Sequence, residues 1–185
     1  MKRAKHISTE KLQKKAIHLL ELNHDHNFIF AGSIDGSAII WEIKKENRYK
    51  PEKYFMIDDR DTKNCVQCDT VAWSARSRYA FCAISGIKKH KKPNEEHKGP
   101  VTPRSTIYVI QMDSKSILHQ LGEQGKCWMK RVDEILLEYY TFALMTHPHY
   151  ENILVSGSAS GKIVVWDAVL GIAVMKFIET GIYSY

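Results

Sequence analysis

The sequence predicts an all-β fold made of about three repeated units, each with four strands. Short runs rich in Ile, Val, Tyr, Phe and Trp alternate with clusters of Gly, Asp, Ser and Asn, the pattern of strands joined by turns. In addition, one string occurs in two related versions, AGSIDGSAIIWEI at 31–43 and VSGSASGKIVVWDA at 155–168. In both, a Gly precedes a Trp by nine residues, from Gly32 to Trp41 and from Gly157 to Trp166. The repetition indicates one structural unit used more than once.

The first predicted unit covers residues 17–58. NFIFAGS predicts a strand, and Asp35 with Gly36 predicts the tight turn that follows it. The returning strand, SAIIWEI, lacks polar alternation, so we expect it to be buried on both faces. KYFMI, after Pro51, predicts an outer strand.

The second and third predicted units cover 66–121 and 135–178. Their strands are predicted in CDTVAWSARS, YAFCAISG, STIYVIQMD and SILHQLG, and then in YYTFALMTHP, NILVSGSAS, KIVVWDA and GIAVMKFI. Aligning the third strands places Val109 where Trp41 and Trp166 stand. Insertions lengthen the second unit, chiefly a basic one at 86–104. Residues 1–16 are expected to form a basic N-terminal segment, and residues 179–185 the start of a further strand or a tail.

A four-stranded sheet has two faces to cover, and radial stacking against neighbouring sheets covers both. This arrangement is the β-propeller, which typically carries four to eight blades. Three blades therefore predict part of a larger propeller. Within it, the small residues Gly32 and Gly157 are expected where sheets approach closely, and Trp41 and Trp166 are expected to fill space between blades.

Composition and charge place limits on the function. No apolar run approaches the roughly 20 residues that span a bilayer, so no membrane association is expected. Four cysteines are too few for a disulfide-stapled secreted protein of this length, which favours a reducing compartment. The net charge of +6 is concentrated in two segments, with six Lys or Arg against one Glu in 1–18 and six against two in 86–104.

The insertion at 86–104 is the best candidate binding site in the sequence. Its lysines could neutralise phosphates or carboxylates of an acidic partner, nucleic acid included, without reading base sequence. No aromatic residue interleaves them, so stacking on single-stranded bases is not supported. The alternatives are a solvated insertion and a nuclear-import signal. The candidate contact residues are Lys88, Lys89, Lys91, Lys92 and Lys98.

No residue pattern predicts a metal, a cofactor or catalysis. Cys65 and Cys68 have metal-ligand spacing, but Cys82 and Cys127 do not form the second pair that structural zinc needs. The pairs His24/His26 and His147/His149 occupy corresponding turns of units that are not neighbours, so we interpret them as turn residues. GSASGK is not a phosphate loop, because its Lys opens a strand rather than a helix. We expect neither an enzyme nor a small-molecule substrate.

The repeated string resembles those of WD-repeat proteins, and the last two units are similar to the C-terminal blades of one branch. TVAWS, STIYVIQMDSKSILHQLG and THPHYENILVSGSASGKIVVWDAVLGIAVMKF are similar to the final blades of the bromodomain-and-WD-repeat family, the family of the pleckstrin-homology-domain-interacting protein. HNFIFAGSIDGSAIIWEI fits the preceding blade, so the resemblance covers about residues 17–185. Gly32, Trp41, Gly157, Trp166 and Asp167 are then structural repeat positions.

The resemblance implies a nuclear, chromatin-linked scaffold, with a cytoplasmic location as the alternative. Such proteins bind other proteins through propeller rims, reach chromatin or histones through the full-length chain, and act in transcription control and cytoskeletal organisation. The 185 residues contain no bromodomain sequence. Some members are ubiquitin-ligase substrate receptors, but the arginine that usually follows the Trp-Asp pair is replaced here by Ala168. A cytosolic assembly scaffold and a nucleic-acid-binding module built on the basic insertion remain the alternatives.

Overall fold

The computed structural model describes residues 15–44, 51–58, 67–89, 101–122 and 141–178. Every regular element within these ranges is a β-strand. Accordingly, the described part of the chain holds no helix of the length and apolarity that a membrane crossing requires. The prediction of an all-β fold is confirmed.

The strands form three separate antiparallel sheets, each with four strands in the order of the sequence. In the first sheet they are β1 (Ile17–Leu22), β2 (Phe28–Ser33), β3 (Ser37–Ile43) and β4 (Pro51–Asp58). In the second they are β5 (Gln67–Trp73), β6 (Tyr79–Lys89), β7 (Val101–Gln111) and β8 (Ser116–Leu121). In the third they are β9 (Thr141–Thr146), β10 (Ile153–Ser158), β11 (Lys162–Asp167) and β12 (Ile172–Ile178). The predicted unit boundaries stay predictions, because the connecting segments 59–66 and 123–140 lie outside the described residues.

Local side-chain hydrogen bonds explain where two of the turns fall. Asp35 accepts from the backbone N of Ser37 at 2.9 Å and from its hydroxyl at 2.5 Å, and Gly36 has a φ of 82° that favours glycine. The predicted strand CDTVAWSARS ends earlier than expected, at Trp73. There the Ser74 hydroxyl accepts from the backbone N of Tyr79 at 3.0 Å, which closes a turn instead of continuing the strand.

The second sheet lies between the other two and is covered on both faces. One apolar cluster joins it to the first sheet through residues such as Phe30, Ile40 and Cys82. A second cluster joins it to the third sheet through residues such as Phe81 and Trp166. The first strands of the three sheets are neighbours, since β5 contacts both β1 and β9. Sheets stacked face to face with their first strands adjacent form part of a β-propeller, here about three blades.

Backbone irregularities correct one predicted alignment. A register shift falls between Ile40 and Trp41 in β3, and between Val165 and Trp166 in β11. In β7 the corresponding shift falls between Val109 and Ile110. The tryptophan position of the second blade is therefore Ile110, and the alignment with Val109 was wrong by one residue. Since side chains alternate between faces, that slip moves the residue to the opposite side of the sheet.

The face of the third sheet that points away from the second sheet is open. Met145 is 70% exposed, Phe177 51% and Ile163 46%, although all three are large apolar residues. On the first sheet, SAIIWEI is buried over Ser37–Ile40, as predicted, and Trp41 is only partly buried. The uncovered face of the third sheet is what a partial propeller leaves exposed.

Candidate functional site

The two repeated glycines differ in how closely other atoms approach them. A Cβ built on Gly32 would lie 2.8 Å from Cys68 Sγ and 3.0 Å from Leu19 Cδ1, which confirms a close approach between the first and second sheets. A Cβ on Gly157 would meet only the Ala143 Cβ at 3.6 Å, an ordinary contact. The expectation of a close approach is therefore confirmed at Gly32 and wrong at Gly157, whose face of the third sheet is open.

The two repeated tryptophans also differ. Trp166 is 4% exposed in the cluster between the second and third sheets, and its Nε1 donates to the Ser156 hydroxyl at 2.9 Å. It fills space between blades, as predicted. Trp41 is partly buried and belongs to neither described apolar cluster, so no described sheet packs over it.

Asp167, the last repeat position, holds two turns together. Its Oδ1 accepts from the backbone N of Val169 at 3.1 Å and from that of Leu170 at 2.9 Å. Its Oδ2 accepts from Asn152 Nδ2 at 2.8 Å, so the carboxylate connects the β11–β12 turn to the β9–β10 turn. Asp167 acts as a turn cap, which accounts for an acid after the tryptophan.

The basic insertion extends the β6–β7 hairpin at one end of the second sheet. The backbones of Lys88 and Lys89 lie in β6 and pair with Thr102 and Val101 of β7. The other three predicted contact residues, Lys91, Lys92 and Lys98, lie outside the described residues. We call this end of the sheets, where the paired residues 86–89 and 101–104 lie, the insertion rim.

Two buried serines lie where β6 and β7 approach the insertion, and the second sheet has no tight turn there like that of the first sheet. Ser85 and Ser105 face each other across β6 and β7, and the buried Ser105 hydroxyl has no hydrogen-bond partner in the described part of the chain. In the first sheet the Asp35 carboxylate accepts from the Ser37 hydroxyl in a tight turn. In the second sheet β6 and β7 continue past Ser85 and Ser105 without such a turn. Burial raises the pKa of the Asp69 carboxyl. Hydrogen bonds from the Ser85 hydroxyl and from the Gln67 amide, at 2.6 Å, partly oppose this rise, as does the positive potential of His18.

The opposite end of the sheets carries three turns that are bonded to one another. These turns, 23–27, 74–78 and 147–152, join the first two strands of each sheet, and together we call them the turn rim. Asn23 Nδ2 donates to the Ser77 hydroxyl at 3.1 Å, which connects the first turn to the second. The Ser74 hydroxyl donates to Glu151 Oε2 at 2.8 Å, which connects the second turn to the third.

The exposed side chains of the turn rim are mostly basic or aromatic. Arg76 and Arg78 are exposed in the middle turn, and neither side chain makes a hydrogen bond or ion pair with the rest of the described chain. On either side lie the predicted His-x-His turns and Tyr150, which is 63% exposed. The sequence analysis missed Arg76 and Arg78, because it interpreted SARS as the end of a strand. The only available signal was two arginines beside two serines, a composition suited to an exposed turn.

The other residues considered as metal or phosphate ligands are either buried or not grouped together in the described part of the chain. Cys68 is fully buried in the cluster between the first and second sheets, and Cys65 lies outside the described residues. No group of three or more His, Cys, Asp or Glu residues suited to a metal ion occurs within the described ranges. Lys162 opens strand β11, in agreement with the rejection of a phosphate loop in GSASGK.

Comparison with known proteins identifies the type of repeat. The family model described as WD domain, G-beta repeat, matches residues 10–42. The fold is similar to the C-terminal WD40 domain of Sif2 (TM-score 0.58, 10% identity, 90% of this chain and 41% of that chain). It is also similar to the Cps50 (Swd1) β-propeller domain of Myceliophteria thermophila (TM-score 0.55, 16% identity, 85% and 42%). A third similar structure is the computationally designed Ika4 protein (TM-score 0.57, 17% identity, 95% and 80%).

These similarities show a WD40 repeat at residues 10–42 and the fold of a partial WD-repeat β-propeller. The chain spans 41% and 42% of the two natural propeller domains that it resembles. WD40 propellers typically bind other proteins.

Proposed function

We propose that the chain belongs to a non-enzymatic scaffold that assembles other proteins on chromatin, of the bromodomain-and-WD-repeat type. The observation that carries the proposal is the string HPHYENILVSGSASGKIVVWD, which resembles that family and lies in a WD-type blade. In this role the protein acts in the nucleus, in regulation of transcription and of cell shape. Its partners are proteins bound at the propeller rims, with chromatin or histones reached through the full-length protein.

Cell fractionation with proximity labelling tests this proposal. A tagged full-length protein is expected in the nuclear fraction, partly resistant to salt extraction, with chromatin proteins among its labelled neighbours. A matched chain carrying Val109→Asp, which disrupts the interface between the second and third blades, controls for labelling that does not need the folded propeller. Exclusive residence in the cytosol would favour the alternative of a cytosolic assembly scaffold or ubiquitin-ligase substrate receptor.

A second candidate function is nucleic-acid binding by the insertion rim. The six Lys or Arg of 86–104 favour it, and the backbones of Lys88 and Lys89 lie at the end of the β6–β7 hairpin. Binding of this kind depends steeply on salt concentration, since each neutralised phosphate releases counterions. Changing Lys88, Lys89, Lys91 and Lys92 to Gln is expected to weaken binding to duplex DNA and to reduce its salt dependence. If affinity and salt dependence stay unchanged, this candidate is removed.

A further inference from the structure

We propose that the turn rim, and not the insertion rim, is the surface that docks an acidic segment of a partner protein. In this interaction Arg76 and Arg78 pair with carboxylates of the segment. The inference rests on the proposed role as an interaction scaffold, and it adds the rim and the chemistry of the partner. Charge alone favours the insertion rim as a binding surface. The turn rim is the surface whose turns are connected to one another by hydrogen bonds.

The first step is that the three turns are held in fixed relation. Asn23 and Ser77 connect the first and second turns, and Ser74 and Glu151 connect the second and third. Behind them, the Thr146 hydroxyl donates to the backbone O of Trp73 at 2.8 Å. A surface whose parts are already ordered loses less conformational entropy when it binds, so its contacts contribute more fully to affinity.

Each turn is also closed internally by its first residue. Asn23 Oδ1 accepts from the backbone N of Asn27 and of Phe28, each at 2.8 Å. The Ser74 hydroxyl accepts from Tyr79 N, and His147 Nδ1 accepts from Tyr150 N at 3.2 Å. The polar groups at the base of the turns are thus used for positioning, and the exposed side chains between them are left to bind.

The second step is that the exposed guanidinium groups have no partner among the residues that the structure describes. Lys44 pairs with Glu42 and with Glu52 at the end of β3, beside the first turn. Of the two acids on the turn rim, Glu151 is already bonded to Ser74, and only Asp25 is exposed. Arg76 and Arg78 therefore present two planar donors suited to carboxylates, and the exposed acids at this end of the sheets are Asp25 and, on the adjacent β7–β8 turn, Asp113.

The third step is the environment on both sides of the arginines. The second sheet lies between the other two, so its turn stands between His24 and His26 of the first and His149 of the third. The Tyr150 ring is tilted by 46° against that of His147, with the centroids 4.7 Å apart, and it remains mostly exposed. Imidazole and phenol groups add hydrogen bonds and flat apolar surface around the charges, a combination common at protein-binding surfaces.

A protein segment fits this surface better than nucleic acid does. Two arginines separated by one residue can neutralise few phosphates, so little counterion release is available. The longer run of cations, which a polyanionic backbone would follow, belongs to the insertion rim at the other end of the sheets. A short acidic segment needs only a few charge pairs together with adjacent polar contacts.

Fluorescence anisotropy with the complete chain tests the proposal. The probe is a labelled peptide of alternating Glu and Gly, and the controls are its Gln-Gly counterpart and a single-stranded DNA of equal charge. Arg76→Gln with Arg78→Gln is expected to weaken binding of the Glu peptide by about three- to tenfold, the range for two exposed ion pairs. The matched variant, Lys88→Gln with Lys89→Gln, is expected to leave it unchanged. Circular dichroism confirms that both variants are folded.

The possible outcomes separate this inference from the proposed function. No binding of the Glu peptide, equal binding of the Gln peptide, or loss of binding only in the lysine variant would each overturn the docking proposal. A loss confined to DNA in the arginine variant would overturn it in favour of a nucleic-acid surface. Nuclear partners that are labelled equally by the wild-type and arginine-variant proteins would leave the scaffold role intact and reject the turn rim as its surface. Peptide binding without nuclear partners would do the reverse.

Discussion

The second and third sheets are built from the same strand pattern, yet one is buried on both faces and the other on one. Val109 and Val165 occupy the same position, just before the register shift in the third strand, but Val109 points toward the third sheet and Val165 toward the open face. Val109 is fully buried because the third sheet covers it, whereas Val165 remains partly exposed. The difference teaches that burial in a propeller is a property of the neighbouring blade and not of the blade's own sequence.

Introducing a charge at Val109 and, separately, at Val165 is expected to give the largest difference in stability between the two sheets. Val109→Asp places a carboxylate in the apolar cluster with no partner, so we expect a loss of stability greater than about 4 kcal/mol. Val165→Asp leaves the carboxylate in contact with solvent, and we expect a change within about 1 kcal/mol. Denaturant titration followed by circular dichroism measures both. Equal losses would contradict the assignment of the open face.

The two repeated glycines give a second, smaller test. Gly32→Ala brings a Cβ within 2.8 Å of Cys68 Sγ, and such overpacking typically costs about 1–3 kcal/mol. Gly157→Ala fits an ordinary contact and removes a flexible residue from a strand, so we expect no loss and a gain of up to about 1 kcal/mol. Thermal unfolding of both variants gives the comparison.

A double variant checks the cause of the Gly32 effect. Cys68→Ala removes the sulfur that the new Cβ would meet, so the combination of Cys68→Ala with Gly32→Ala is expected to be less damaging than the sum of the single changes. Strictly additive losses would show that the strain at Gly32 does not come from this contact.

The tryptophan pair is expected to show a smaller difference. Trp166→Phe removes the Nε1 donor and leaves the buried Ser156 hydroxyl without it, at a cost of about 1–2 kcal/mol. Trp41→Phe changes a partly exposed ring that makes no side-chain hydrogen bond within the described ranges, so we expect less than about 0.5 kcal/mol. Chemical denaturation resolves the two, and a Trp41 loss as large as that of Trp166 would indicate that its position in the fold is not the one described.

Alternation of apolar residues and the repeated Gly–Trp spacing were enough to predict the strands and their grouping into sheets. They could not predict the register at Val109, because the irregularity that shifts it depends on pairing with β8 and leaves no mark on the apolar pattern. The same sequence patterns could not distinguish the open face of the third sheet from a covered face, since Ile163 and Phe177 are as apolar as their buried counterparts. Arg76 and Arg78 were missed for a related reason, because their setting comes from the turns of two other blades.

The smallest effect that we predict is a pH dependence at the edge of the second sheet. Burial raises the pKa of Asp69 in the folded chain, so the folded state binds more protons than the unfolded state between the ordinary carboxyl pKa and the raised one. Stability is therefore expected to fall as the pH rises through that window. Asp69→Asn removes the titrating group while its side-chain oxygen can still accept from Gln67, so the variant is expected to gain stability over the wild type at pH 7 relative to pH 4.

Urea denaturation at the two pH values measures this difference. The matched control is Asp113→Asn, which changes an exposed carboxylate on the β7–β8 turn and is expected to alter the two midpoints equally. If the Asp69 variant also responds equally at both pH values, the buried edge of the second sheet must be more hydrated than its side-chain burial indicates. The second and third sheets would then differ less in burial at the edge of the second sheet than at its centre.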